Sequence, residues 1–494
     1  MTALEPLEPS IDPVVAALAD AILIPPFPGT TAPPWFLRAL ERGLAGVTFF
    51  GSNMAGDTAA LTASLRAAAP SEPVIAIDEE GGDVTRVAYA SGSPYPGNAA
   101  LGVVDDVALT RSVYAAIGAD LFRLGINTNL APDADVLDLD GSVVVGTRSF
   151  GTEPSLVARH TAAAVAGLQA AGVAACAKHY PGHGSTGDDS HRSLATVSGT
   201  LAEVRARDLP PFTAAVAAGS LAIMPGHLRV PELTGDLPAT LSPAAVTGLL
   251  RGELGFTGVV ICDALEMKAA SAVFGIPEAA VLAVLAGVDL LCLGRDTDEA
   301  MYHAVRAAIA DAVAAGRLPG ARLEEAAARV AGLRAGLAAA RGAQRAAGAA
   351  AGPVTGDGIG LVAARRALRR SGPVPAALAD PLVVEVEPEE NIAAGRFAWG
   401  FEPWAAVKKI DAGDGHGPAR SVLAASAGRP LVLAVRDARR VLPLVEEVLA
   451  ARPDAVIVEM GVSAWTPPAG TAYLATYGAS RVCAQAAAEA LGLV

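Results

Sequence analysis

Cysteine, lysine, aromatic rings and positive charge are all scarce in this chain. The four cysteines, Cys176, Cys262, Cys292 and Cys483, lie far apart with no CxxC pair. That excludes a disulfide framework or a zinc knuckle and points to a reducing compartment. Aromatic residues are 4% of the total, too few to stack successive bases. The 37 Lys plus Arg are outnumbered by 51 Asp plus Glu, for a net charge of −14. The positive footprint that nucleic acid requires is therefore missing. The N-terminal MTALEPLEPSIDP has neither a basic nor an apolar leader region. Uncharged stretches such as 161–177 are broken by Gln169 and glycines, short of the ~20 apolar residues of a membrane helix. A soluble, cytoplasmic protein is expected, with neither nucleic acid nor membrane as partner. Lysine occurs at four positions only, Lys178, Lys268, Lys408 and Lys409, which makes Lys178 conspicuous among its polar neighbours.

Apolar residues, by contrast, are abundant. Hydrophobic residues reach 52% and charged ones only 18% of 494, enough to bury a core and to exclude disorder. At ~150 residues per domain the length allows two to four domains. Eight short apolar runs, 21–24, 46–50, 73–77, 126–130, 173–177, 221–224, 258–261 and 288–293, alternate with Ala-rich helical stretches such as 154–171 and 243–253. Continuous apolar runs of this length are the pattern of parallel strands covered on both faces. The spacing predicts a (β/α)8 barrel over residues 1–340, with a doubly wound open sheet as the competing topology. Its last helix is expected at 323–337. An Ala/Gly/Arg-rich linker with a basic helix at 359–370 follows, over 341–377. A smaller α/β domain over 378–494 carries strands at 382–386, 431–435, 455–458 and 473–476. The glycine-rich 413–417 lacks a following helix and reads as a turn rather than a nucleotide loop.

Ionisable residues gather just past the apolar runs, where α/β barrels place their sites. Run 73–77 leads into Asp78-Glu79-Glu80-Gly81-Gly82, with Arg86 close behind; 173–177 leads into Lys178-His179. Run 221–224 leads into Pro225-Gly226-His227, and 258–261 into Cys262-Asp263. In KHYPGHGSTGDDSH, Asp189 stands two residues before His191. A carboxylate there orients the imidazole through Nδ1 and suits it to general acid/base work. A polar loop whose histidines cap helices is the plainer reading. A metal site on His179, His183, Asp189 and His191 is a third, though their spacing fits no standard ligand pattern. Asp263 after a buried strand suits a nucleophile or a helix N-cap. Asp78 with Arg86 suits bidentate hydrogen bonding to sugar hydroxyls or a surface acidic turn, and Arg148 in GTRSFG is another arginine after a barrel strand.

Taken together, AIDEEGGDVTRV, GTRSFG, KHYPGHGSTGDDSH, PATLSPAAVTGLLRGELGFTGVVICDALEM and RLEEAAARV resemble the β-N-acetylhexosaminidases of glycoside hydrolase family 3. The resemblance runs from about residue 10 to 340, and the C-terminal part is similar to the second domain of two-domain members. It implies that Asp263 is the nucleophile and that His191, paired with Asp189, is the acid/base. It further implies that Asp78, Arg86, Arg148, Lys178 and His179 bind the terminal N-acetylglucosamine, with His227 nearby. Two positions depart from the family pattern: Asp83, where relatives usually carry Arg, and Cys262, where Ser or Thr is common. Neither removes a catalytic group. The expected activity is a retaining exo-β-N-acetylglucosaminidase needing no metal or cofactor, acting on muropeptide or chitooligosaccharide fragments. Alternatives are a phosphorylase using phosphate as acceptor on the same residues, a broader β-glucosidase, a metal-dependent hydrolase and a silent sugar-binding protein.

Overall fold

The computed structural model describes residues 12–139, 144–186, 194–348, 356–387, 394–395, 397–411 and 418–494. Asp189, His191 and the glycine-rich turn at 413–417 lie outside these residues. All eight apolar runs of the N-terminal half form strands: β1 (Leu23–Ile24), β2 (Gly46–Phe49), β3 (Val74–Ile77), β4 (Thr128–Asn129), β5 (Ala174–Tyr180), β6 (Ala222–Pro225), β7 (Val259–Val260) and β8 (Leu291–Cys292). Strands β2 to β7 pair in parallel in chain order. The ring closes through the β1–β8 pair, an Ile261–Leu290 bridge from β7 to β8, and bonds from β2 to the β1 region: Ala45 N to Asp20 O, 2.9 Å, and Thr48 Oγ1 to Ile24 O, 3.2 Å. The fold is a TIM-like barrel rather than an open sheet. Every residue of β2, β3 and β5 is buried, as a strand between a filled interior and an outer ring of helices requires.

The helices between the strands begin on side-chain caps. Asp57 accepts from Ala60 N, Asp106 from Ala108 N and Leu109 N, and Thr200 forms a capping box with Glu203. The stretch 243–253 is helical but wider than an α-helix, with Leu254 N bonded five residues back to Leu249 O. Helix Lys268–Ala286 is long and apolar enough by composition to cross a membrane. It breaks at Gly275, however, and buries Ala279, Ala280, Val281, Ala283 and Val284 in the barrel.

Beyond the barrel, β9 (Arg369–Ser371), β10 (Leu382–Glu387), β11 (Ala406–Asp411), β12 (Leu431–Val435), β13 (Val456–Glu459) and β14 (Ala472–Ala475) form one sheet in the order β9-β14-β13-β12-β10-β11. It is parallel except at β9, and apolar clusters pack on both faces.

Three elements differ from their sequence expectation. The last barrel helix is Gly320–Ala346, well beyond 337. Its Ala-rich continuation is strongly helix-forming, and Arg334 and Arg341 tie it to Glu72, at 2.8 Å to its carbonyl and 3.0 Å to its carboxylate. The basic stretch 359–370 splits into a helix, Gly356–Ala367, and the edge strand β9. Strand β11 went unread because a half-exposed edge strand with Lys408 and Lys409 carries no apolar run.

Candidate active site

A cavity of about 440 Å³ opens at the carboxyl ends of the barrel strands; its lining includes Asp78, Glu80, Arg86, Arg148, Lys178, His179, His183 and Asp263. Asp78 and Glu80 follow β3, Lys178 and His179 lie near the carboxyl end of β5, and Asp263 follows β7. The expectation that Lys178 and His179 come after their strand is corrected: β5 continues through them to Tyr180. Their backbones are therefore fixed by ladder contacts, Lys178 N to Pro132 O at 3.1 Å and Ala134 N to Lys178 O at 2.6 Å. Gly81 and Gly82 turn the chain back after Glu80 with φ of +76° and +61°, and a Cβ on Gly82 would lie 2.5 Å from Gly97 Cα. Only glycine suits that close approach.

The charged side chains form an alternating belt. Lys178 Nζ sits 2.5 Å from Asp78 and 2.8 Å from Glu80. Glu80 takes a two-pronged bond from Arg148, 2.9 Å from Nε and 2.7 Å from Nη2. Arg148 Nη2 then lies 3.4 Å from His179 Nε2, and His179 Nδ1 lies 2.8 Å from Asp135. Arginine has donors only, so Nε2 accepts and the Nδ1 proton points to Asp135. Burial alone would neutralise Glu80; Arg148 and Lys178 outweigh it and hold the carboxyl far below the usual range. Burial likewise works against the charged forms of Arg148 and Lys178, but the neighbouring carboxylates keep both cationic. The result is a rigid set of donors and acceptors, each already pointed at a partner, facing one cavity.

Other groups frame the belt. Burial pushes His183 down to about 4, so it packs as a neutral ring edge-on to His179 at 5.8 Å between centroids. Glu79 is buried with its carboxylate accepting from Arg86 N and Val87 N at 2.8 and 2.9 Å, which fixes the turn that presents Arg86. On the opposite rim, Glu266 accepts from Arg295 N and Asp296 N. From the C-terminal domain, Gly395 lines the cavity and Ala394 O accepts from Arg86 Nη1 at 3.4 Å.

Of the residues singled out in the sequence, Asp78, Arg86, Arg148, Lys178, His179 and Asp263 share this cavity. His227 does not reach its wall. It is fully buried, with Nε2 3.0 Å from the carbonyl oxygen of Ala264, the residue after Asp263. Sequence reasoning missed Glu80 as the centre of the belt, and Asp133 and Asp135 altogether. The signal for the last two was a pair of aspartates at i and i+2 just past the fourth apolar run.

Asp133, Asp135 and His179 are also a group, among the described residues, with donor atoms close enough for a shared ion, all within 4.8 Å. Asp135 already accepts from His179 N, His183 N and the His179 ring. The Arg148 guanidinium stands 3.5 Å from Asp133. A cation is thus supplied by the chain itself, and the donors do not fit a metal well.

Known proteins share the sequence and fold of this chain. Residues 40–333 match the family described as "Glycosyl hydrolase family 3 N terminal domain". The chain is 38% identical over 286 residues to a beta-hexosaminidase of Stenotrophomonas maltophilia strain R551-3, covering 55% of this chain and 84% of that one. It is 37% identical over 265 residues to the beta-hexosaminidase LpqI of Mycobacterium tuberculosis, covering 53% and 67% respectively. Among solved structures, a glycoside hydrolase family 3 beta-N-acetylglucosaminidase from Paenibacillus sp. FPU-7 superposes with a TM-score of 0.83 at 29% identity, covering 97% of both chains. A TIM-like barrel whose strand ends carry this belt, joined to a second α/β domain and similar throughout to such enzymes, belongs to glycosyl hydrolase family 3, on its β-hexosaminidase side.

Proposed function

We propose that this enzyme is a retaining exo-β-N-acetylglucosaminidase working through a covalent glycosyl-Asp263 intermediate. The supporting observation is that Asp263 lines the same cavity as the Asp78–Lys178–Glu80–Arg148–His179 belt. Paired donors and acceptors of that kind match the vicinal hydroxyls and acetamido group of a terminal sugar. In this reading protonated His191, oriented by Asp189, gives its proton to the leaving oxygen while Asp263 attacks carbon-1 through an oxocarbenium-like transition state. Neutral His191 then takes a proton from the attacking water, and the sugar leaves with its configuration retained. Such proton transfer contributes ~10²–10⁴-fold. The natural substrates are muropeptide or chitooligosaccharide fragments, and the site of action is the cytoplasm.

The test pairs nitrophenyl N-acetylglucosaminide with the glucoside, then traps the intermediate with a fluorosugar. Faster turnover of the amino sugar and a label on Asp263 support the reading; a label on a different acid defeats it. Run with added phosphate, the same assay decides the acceptor. N-acetylglucosamine as sole product makes it water, whereas N-acetylglucosamine 1-phosphate makes the enzyme a phosphorylase, the acceptor a neutral imidazole base would tolerate.

A further inference from the structure

The carboxyl edge of the C-terminal sheet faces the loops of the barrel, and one barrel side chain is held there. Asp83 follows the Gly81-Gly82 turn, midway between Glu80 and Arg86. Its Oδ2 accepts from Arg436 Nη2 at 2.7 Å and from Thr147 Oγ1 at 3.0 Å, and its Oδ1 accepts from Ala479 N at 2.9 Å. Arg436 directly follows β12 and lies over the rings of Phe397 and Trp399, 4.8 and 5.9 Å from their centroids. Ala479 stands just before Ser480, the N-cap of helix Arg481–Ala490. The carboxyl ends of parallel strands and the start of a helix are where doubly wound sheets bind anionic ligands. Here the anion is the carboxylate of the neighbouring domain, and it is nearly sealed from water, 8% exposed. An arginine at this position, the residue the family resemblance leads one to expect, would meet Arg436 with like charge.

Asp83 also joins two loops of the sugar pocket. It is on the loop that carries Asp78, Glu80 and Arg86, and it holds Thr147, the neighbour of Arg148. The contact of Arg86 with Ala394, the Ala398 N to Tyr89 O bond of 3.1 Å, and Gly395 in the cavity wall bring the same domain to the same loops.

We propose that Asp83 is a positioning residue through which the C-terminal domain, gripping it with Arg436 and the Ala479 N–H, sets the two sugar-binding loops and hence the affinity for the terminal sugar. This rests on the reading of the cavity as the N-acetylglucosamine site. Arg436 and Asp83 touch neither the reacting carbon nor Asp263, so their loss acts on binding before it acts on chemistry.

The experiment is steady-state kinetics on nitrophenyl N-acetylglucosaminide with melting curves for Arg436→Ala, Arg436→Lys, Asp83→Asn and Thr147→Val in the full chain. Arg436→Ala and Asp83→Asn are expected to raise KM about tenfold or more while kcat stays within about threefold. Arg436→Lys, which keeps the charge, recovers most of the loss, and inhibition by free N-acetylglucosamine weakens in step with KM. If Arg436→Ala does not fold, Asp83→Asn and Thr147→Val still carry the test, and each must shift KM. Variants that melt lower with KM unmoved would show a mere clamp and overturn the proposal. Absence of wild-type turnover would instead defeat the reading of the site, so the two failures are distinguishable.

Discussion

Glu79 offers a quantitative test because it is buried, carries a shifted proton affinity and holds a site loop without lining the cavity. Its side chain is 4% exposed. Its carboxylate accepts from Arg86 N and Val87 N, and its own backbone exchanges two bonds with Asn129. Burial outweighs those hydrogen bonds and raises its pKa from 4.5 to about 7. A carboxyl shifted that far prefers its protonated form in the fold by about 3 kcal/mol. With the folded value above the unfolded one, this stabilisation is complete below about pH 4.5 and is lost as pH rises through about 7. Glu79→Gln removes the titration while keeping a carbonyl oxygen for the two N–H donors. The variant is therefore expected to gain on the wild type by about 2–3 kcal/mol between about pH 5 and pH 8. In melting temperature that is a gap opening by roughly 2–4 °C. Melting curves of both proteins across this range measure it, and other titrating groups cancel in the difference. A gap that stays constant with pH would refute the argument, since Glu79 would then bind its proton equally in the folded and unfolded chains.

Two further substitutions probe the belt itself. Arg148→Lys keeps the charge but loses the two-pronged bond to buried Glu80. It is expected to cost about 2–3 kcal/mol of stability, read by denaturation, and to raise KM at least about tenfold; unchanged values would mean that Lys178 alone satisfies Glu80. Asp135→Asn turns an acceptor of the His179 ring proton into a group whose amide must partly face it. A fall of about 10- to 100-fold in kcat/KM with a small change in melting temperature is expected, and full activity would remove Asp135 from the machinery.

The legibility of this protein from its sequence followed burial. A strand covered on both faces must be apolar throughout, so the eight barrel strands stood out as continuous runs, and the charged residues at or just past their carboxyl ends, Asp78, Lys178 and Asp263, came with them. Strand β11 is a half-exposed edge strand, and its Lys408 and Lys409 broke the pattern. Partnership within the belt was harder to read because it depends on which strand ends are adjacent, not on spacing along the chain. Glu80 meets Arg148 and Lys178 across separations of 68 and 98 positions only because β3, β4 and β5 are consecutive staves. Once the barrel order is known, an acid after β3 and a base ending β5 must converge, with the acids after β4 between them. His227 shows the limit of the same logic: it too follows a barrel strand, yet it is fully buried against the Ala264 carbonyl rather than in the cavity wall. Adjacency in the ring delivers a residue to the mouth of the barrel, and the local path of the chain then decides whether its side chain lines the cavity or packs against the residues that do.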